Sequence, residues 1–397
     1  MLNNYGKALE KRVLDVYQKE NPSTYKIEES RELHKKIEDY AYRLYTHSLK
    51  LLPKIFDGAN LLEFGSGTGE RSMNYLRWGA NCTFVEFNKK AISRAKSLYS
   101  EFSPNGSYRF ENCSLFDFDS EQKFDITISN AVIHHTAEKE KAFQKLVSYL
   151  RPGGINVLGI GTTGACIQRN LQRLIIYTFT GDDEVEIESI ANKLFKEHLE
   201  RAEKFGNRTR KAIIYDTYIN PKLDFISIAE LLSWYKKYNL TFYSSWPPVI
   251  PSILGDDLGG KTDWRDFPEV LSYSEWIWGT QITQDRDFIV EIEEMLKPRT
   301  STFRDMANSI NDIQAENIDL QKISYHVQEV IDHEDLKDSI NLRDLRKFQN
   351  WLSDLKLLLK ALDEKDLNKV SELLNRSNFL FRGKGGLGLN YFAAIKN

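Results

Sequence analysis

Residues Leu61 to Glu70 read LLEFGSGTGE. Leu61, Leu62 and Phe64 form a short apolar run interrupted by Glu63, and the run breaks into Gly65, Gly67 and Gly69 with one small polar residue between neighbours. A buried strand leading into a glycine turn that opens a helix is the layout of a nucleotide pocket. Glycine suits such a turn because it accepts positive φ, and because a backbone without Cβ lets a ligand come close. The dinucleotide spacing G-x-G-x-x-G is missed by one position, since Glu70 stands where its third glycine belongs. No G-K-[ST] follows, which excludes a P-loop.

Thr83 to Asn88 (TFVEFN) reads as a second short strand ending in Glu86, 17 positions past Gly69. A carboxylate at that tip can accept both hydroxyl protons of a ribose. Tyr108 to Phe110 starts a third strand that leads to Asn112, Cys113 and Ser114. In Phe124 to Thr136 (FDITISNAVIHHT), Ile126 and Ile128 alternate with polar residues as a fourth strand, with Ser129 and Asn130 at its carboxyl end. Lys139 to Leu150 has helical spacing and stops at Arg151-Pro152-Gly153-Gly154, before the apolar run Ile155 to Ile160. Strand and helix alternating in this way imply a parallel, doubly wound sheet.

The Gly-x-Gly-x-Gly loop after Glu63-Phe64, the acid at Glu86, the FD-I-x-I-S-N-A-V-I-H-H-T string and the L-R-P-G-G that follows it resemble class I S-adenosylmethionine-dependent methyltransferases. The resemblance covers roughly a quarter of the chain, Leu61 to Ile160. It implies an α/β fold: a Rossmann-like, seven-stranded methyltransferase sheet with N-terminal helices and large helical insertions. It also implies S-adenosyl-L-methionine as cofactor. Gly65, Ser66, Gly67 and Gly69 would wrap its methionine and ribose end, with Glu63 fixing the loop or meeting the ammonium. Glu86 and Phe87 would stand at the ribose, Ser114 and Leu115 at the adenine, and Asn130 at the end of the fourth strand. The family often carries an acid at the adenine turn. Here Cys113-Ser114 fills that place and the nearest acid is Asp117, so a Ser114 hydroxyl or a backbone carbonyl would serve instead.

A sulfonium methyl is itself electrophilic, so a general base is needed only for an acceptor that arrives protonated. His134 and His135 are the candidates. His134 matches, in the pattern A-x-x-H, a histidine in the active site of phosphoethanolamine methyltransferases. In a helical segment the two would point different ways, leaving at most one catalytic, and packing is the competing role for both. Further on, D-x-Y-x-N-P at Asp216 to Pro221, then L-x-W-Y, a strand and Pro247-Pro248, resembles a bacterial subset of the family of mostly unassigned substrate. There this segment caps the active site. It nominates Tyr218 as catalytic and Asp216 and Asn220 as substrate contacts, against a plain turn with a packed tyrosine. Glu28 to Leu52 reads as one amphipathic helix, either a lid bringing Tyr40 to the substrate or a helix packed on the sheet. Trp234 to Trp278 is rich in aromatics, which suit a pocket lining or a core.

The expected organisation is an N-terminal helical cap (1–57), a cofactor-binding core (58–165), a cap segment with the sixth strand (166–249), a mostly helical insertion (250–385), and a terminal strand (386–397) that completes the sheet as an antiparallel seventh member between the fifth and sixth. Within the insertion, apolar residues recur every three or four positions from Ile313 to Val330 and from Leu342 to Leu362. This reads as a helical hairpin packed on its own chain, with a homodimer contact as the alternative.

The chain has 397 residues, 54 Lys and Arg against 57 Asp and Glu, and a net charge of −3. That balance argues against nucleic acid or an acidic membrane as partner. The basic cluster Lys204, Arg208, Arg210 and Lys211 reads as a solvated helix end. Three scattered cysteines fit neither a disulfide framework nor a zinc site. Adjacent histidines rarely bind one ion, so no metal is expected. There is no apolar run near the ~18 residues that span a bilayer and no signal-peptide core, so a reducing cytoplasm is the expected compartment. Together these readings point to methyl transfer onto a small-molecule acceptor by in-line displacement. The alternative is a protein, peptide or carrier-bound substrate docked on the helical insertion.

Overall fold

The computed structural model describes residues 2–20, 30–102, 105–206, 208–247, 275, 279, 299–332, 343–377 and 388–397. Its centre is a seven-stranded sheet: β1 (Asn60–Phe64), β2 (Asn81–Val85), β3 (Tyr108–Glu111), β4 (Phe124–Asn130), β5 (Leu150–Ile160), β6 (Leu240–Trp246) and β7 (Asn390–Lys396), in spatial order β3-β2-β1-β4-β5-β7-β6. The first five strands run parallel. β7 is antiparallel to both β5 and β6 and lies between them. The chain winds outward from β1 in one direction and from β4 in the other. The crevice beyond their carboxyl ends is the topological switch point where ligands of such sheets bind.

Both faces of the sheet are covered, so its central strands are apolar on both sides. Leu62, Phe64 and Phe124 pack with Phe143 and Leu146 of α5 (Lys139–Ser148) and Trp234 of α10 (Ile228–Lys237). Leu61, Ile126, Ile128 and Phe84 face the other way, against Tyr75 of α3 (Met73–Arg77) and Tyr99 of α4 (Lys89–Phe102). Successive residues of a strand alternate faces, which is why adjacent Leu61 and Leu62 join different cores. β5 starts earlier than its apolar run: Leu150 pairs with Phe124 and Ile155 with Ile126, so the Pro-Gly-Gly stretch is an irregularity within the strand rather than a turn before it.

Ahead of the sheet lie α1 (Asn4–Lys19) and α2 (Arg31–Arg43). Ser30 caps α2, its Oγ accepting the Leu33 N–H at 3.2 Å. The single helix expected from Glu28 ends at Arg43 and continues as a wider π turn, Leu44–Ser48. After β5 come α6 (Ile167–Thr180), α7 (Glu184–Leu194), α8 (Lys196–Gly206) and α9 (Arg210–Ile214), the last running into a π turn at Tyr215–Ile219. α7 and α8 are separated at the buried Phe195.

Helices at Thr300–Asn311, Leu320–Asp332, Arg343–Asp363 and Leu367–Arg376 follow β6. They share one apolar core with α6: Leu171 and Ile175 pack in the same cluster as Phe303, Ile323, Val327, Phe348 and Leu355. The apolar seams of Leu320–Asp332 and Arg343–Asp363 are therefore covered by this chain itself. In the aromatic stretch from Trp234, Trp234 and Tyr235 belong to the sheet-side core; its part beyond Pro247, apart from Glu275, lies outside the described residues, as do Pro248 and Leu387. Among the described residues, no helix is long and apolar enough to cross a membrane, and no group of His, Cys, Asp and Glu could hold a metal ion.

Candidate functional site

A cavity of about 600 Å³ lies beyond the carboxyl ends of β1, β2 and β4. Its floor is the glycine turn. Gly65, Gly67 and Gly69 all have positive φ (+74°, +56° and +87°), a region L side chains rarely enter. A Cβ on Gly65 would also come within 2.3 Å of Val132 Cγ2. Gly69 does not line the cavity; a Cβ there would meet the Tyr99 hydroxyl at 2.7 Å, so its bareness serves the packing of the loop on α4.

Two carboxylates flank the turn. Glu86, at the end of β2, accepts the Gly67 N–H at Oε2 and the Asn88 N–H at Oε1, both at 2.8 Å. Burial pushes its carboxyl up, and these backbone donors oppose the shift. Glu63 accepts the Ser72 hydroxyl at 2.5 Å. Burial pushes Glu63 up to about 7, against bonds from Ser72 and Asn130. Phe87, Ser114 and Leu115 close this end, and Arg71 lines it as well, its Nη1 donating to the Tyr391 hydroxyl at 3.1 Å. Ser66 Oγ and Asn130 Oδ1 are buried here without a partner among the described residues. Unsatisfied buried polar atoms call for an occupant. A bare glycine cradle, a carboxylate at the tip of β2 and orphaned polar atoms together fit S-adenosyl-L-methionine.

Beyond β4 the chain turns through Ala131, whose φ of +61° is unusual for a residue with a Cβ, into a short 3-10 turn, Ile133–His135. Both histidines are buried and both line the cavity, with ring centroids 4.4 Å apart. The divergence expected of a helical segment does not arise, because a short 3-10 turn carries the pair and both residues line the cavity. His135 Nδ1 lies 2.8 Å from the Lys222 carbonyl. A carbonyl only accepts, so at this shorter of its two contacts Nδ1 carries the proton and Nε2 keeps its lone pair; the Asn220 amide nitrogen, 3.2 Å from the same atom, is then a contact and not a hydrogen bond. His134 has the opposite tautomer: its Nδ1 accepts the Gly161 N–H at 3.4 Å. Burial pushes both pKa values down; for His134 the neighbouring charges add to the effect, whereas for His135 Asp216 and the Lys222 carbonyl oppose it.

The remaining wall is helical. Asp216 lines it, paired with Arg208 at 3.1 Å and approached by the Tyr17 hydroxyl at 3.5 Å. Burial pushes its carboxyl up, but Arg208, His135 and Arg169 outweigh burial and hold it below the usual range. Tyr218 points away. It is fully buried in the helical core, outside the cavity lining, with its hydroxyl on Gln172 Oε1 at 3.0 Å. In a helical turn Asp216 and Asn220 share a face and the residue midway between them lies opposite, which places Tyr218 as a packing residue. Asn220 is buried behind His135, its Nδ2 3.2 Å from Nδ1 and its Oδ1 accepting the Lys222 N–H. Tyr40 packs against the core under α2 and does not line the cavity.

Several lining residues escaped the sequence reading. Glu10, Val13 and Tyr17 come from α1, and Glu10 accepts the Ala137 N–H at 2.7 Å across the opening. Arg169, His198, Arg201 and Arg208 come from the helical wall. The supposed solvated cluster divides: Arg210 pairs with Glu203 and Lys211 with Glu20, while Arg208 turns inward with 17% of its side chain exposed. A signal was present in α6, whose first two turns place Gln168, Arg169, Asn170, Gln172 and Arg173 on a helix that is largely buried. Arg173 reaches the carbonyls of Thr217 and Asn220, and Arg169, one turn earlier on the same face, reaches the cavity.

Residues 55–175 match the family described as "Methyltransferase domain". Among curated proteins, the chain is similar to the highly reducing polyketide synthase sthA of Phaeosphaeria nodorum, 30% identical over 129 residues, which are 30% of this chain and 4% of that protein. It is similar also to a ubiquinone biosynthesis O-methyltransferase of Chelativorans sp., 28% identical over 121 residues, 30% of this chain and 45% of that one. The matches thus span less than half the length of these relatives. Among solved structures, a putative methyltransferase from Thermoplasma acidophilum is 26% identical, covering 26% of this chain and 44% of that one at a TM-score of 0.24. PKMT2 from Rickettsia typhi in complex with AdoHcy is 16% identical, covering 65% and 50% at 0.41. With the glycine turn, Glu86 and the switch-point cavity in place, residues 55–175 of this chain form a methyltransferase domain of the class I S-adenosylmethionine-dependent family.

Proposed function

We propose that the chain transfers a methyl group from S-adenosyl-L-methionine to a small-molecule acceptor, with His135 as general base when the acceptor arrives protonated. The observation that carries this reading is one continuous cavity. It is lined by the glycine turn and Glu86 and also by the histidine pair, Asp216 and Arg169. Its volume of about 600 Å³ lies within the range of small-molecule sites. The cofactor supplies an electrophilic methyl; the chain binds, orients and excludes water. Glu86 would hold the ribose hydroxyls, Glu63 the ammonium and Arg71 the carboxylate. His135, oriented by the Lys222 carbonyl, would take the acceptor's proton at Nε2. Helix α1 contributes Glu10, Val13 and Tyr17 to the wall of the cavity, which favours an enclosed small molecule over a docked protein. A reducing, cytoplasmic setting belongs to the same proposal, in keeping with the free thiols of Cys82 and Cys166 in the interior.

The test is calorimetric titration with S-adenosyl-L-methionine and S-adenosylhomocysteine. Micromolar binding is expected, weakened in Glu86→Ala by roughly 1–3 kcal/mol. A folded wild-type protein that binds neither ligand overturns the reading.

A further inference from the structure

On the helical wall of the cavity the cations outnumber the carboxylates. Arg169 of α6, Arg201 of α8 and Arg208 just before α9 line this wall together with His198. Two carboxylates answer them. Asp216 is bonded to Arg208, and Glu10 accepts the Ala137 N–H. Arg169 Nε, Arg208 Nε and His198 Nδ1 are buried without a hydrogen-bond partner among the described residues. A guanidinium cannot shed its proton to relieve that cost, and buried donors in folded proteins are nearly always paired. Arg169 lines the same cavity as the histidines, and its charge acts on His134, His135, Asp216 and His198. A planar, permanently charged fork beside orphaned donors is the arrangement that recognises an oxyanion in two-pronged fashion.

We propose that the arginine wall of Arg169, Arg201 and Arg208 binds a carboxylate or phosphate group of the methyl acceptor. The term acceptor rests on the methyltransferase reading; the binding of an oxyanion does not. The anion sits against Arg169 and turns the rest of the acceptor toward His135. Neutral analogues forfeit the charge-assisted bonds and leave the orphaned donors unmet.

The experiment uses the full chain, with and without saturating S-adenosylhomocysteine. Benzoate, phenyl phosphate and neutral benzyl alcohol are titrated by ligand-observed NMR. At least one anion is expected to bind tenfold or more tightly than benzyl alcohol, and the tighter of the two identifies the headgroup. Arg169→Gln should weaken that anion at least tenfold, Arg169→Lys should recover part of the loss, and neither should change the affinity for S-adenosylhomocysteine. Absence of anion binding, equal binding of the neutral probe, or an anion affinity unmoved in folded Arg169→Gln overturns the proposal. So does a parallel loss of S-adenosylhomocysteine binding, which would assign the wall to the cofactor's own carboxylate. If S-adenosylhomocysteine fails to bind the wild type, the methyltransferase reading falls, while the titrations without it still decide the anion site.

Discussion

His135 donates Nδ1–H to the Lys222 carbonyl, and that single bond decides which ring nitrogen is left for chemistry. His134, one residue earlier, has its Nδ1 occupied by a backbone donor and lies deeper. His135→Asn is therefore expected to lower kcat by roughly 10²–10⁴ for a protonated acceptor, with S-adenosylhomocysteine affinity nearly unchanged. Burial depresses the His135 pKa below its ordinary value of 6.5. The neutral base persists above that value, so kcat should be flat through neutral pH and fall only on the acid side of 6.5. A pH profile whose acid limb lies above 7, or survives in His135→Asn, would count against this role. At this scale Gly65 and Glu86 were legible in sequence, because a positive φ and a strand-end carboxylate are local requirements. Tyr218 was not: two positions separate it from Asp216, and whether that spacing means one face or opposite faces depends on whether the backbone is extended or helical.

At the scale of elements, β7 is the piece on which the sheet closes. Tyr391, Phe392, Ala393 and Ala394 are buried, and β7 is the hydrogen-bonding neighbour of both β5 and β6. It also reaches the site, since the Tyr391 hydroxyl accepts Arg71 and Gly388 lines the cavity. Deleting residues 388–397 would leave two strand edges unpaired and their apolar faces uncovered. The expected outcome is loss of cooperative thermal unfolding together with loss of S-adenosylhomocysteine binding; a truncated chain that melts cooperatively and still binds would refute it. Short strands bounded by glycine and proline were readable from period and composition. The bulged start of β5 was not, because pairing across the sheet overrides local propensity there.

For the whole molecule, Glu275 ties the segment after β6 to the core. Its Oε2 accepts the Gly164 N–H at 2.9 Å, beside the start of α6, and its Oε1 accepts the Ile228 N–H at 3.3 Å, at the start of α10. Burial pushes its carboxyl up to about 7 from an ordinary 4.5. The folded chain then holds a proton that the unfolded chain releases between those values. Its cost to stability is absent below 4.5, grows as the pH rises to 7 and is constant above, reaching roughly 3 kcal/mol. Glu275→Gln lacks this titration, so urea unfolding of both proteins at pH 5 and pH 8 should show the variant gaining on the wild type by about 2–3 kcal/mol at the higher pH. A difference independent of pH would exclude Glu275 as the titrating group.

The order of strands and helices, the glycine turn and the acid at Glu86 were determined by the sequence alone, since periodicity, turn chemistry and capping act over a few neighbouring residues. What faces that turn was decided only by the tertiary structure. Tyr17 and Asp216 meet across 199 positions of chain, and Arg169, Arg201 and Arg208 converge from α6, from α8 and from the residues before α9. An amphipathic helix states that it has an apolar face but not what that face will cover. The polar residues at its margin acquire partners only when several such faces pack together.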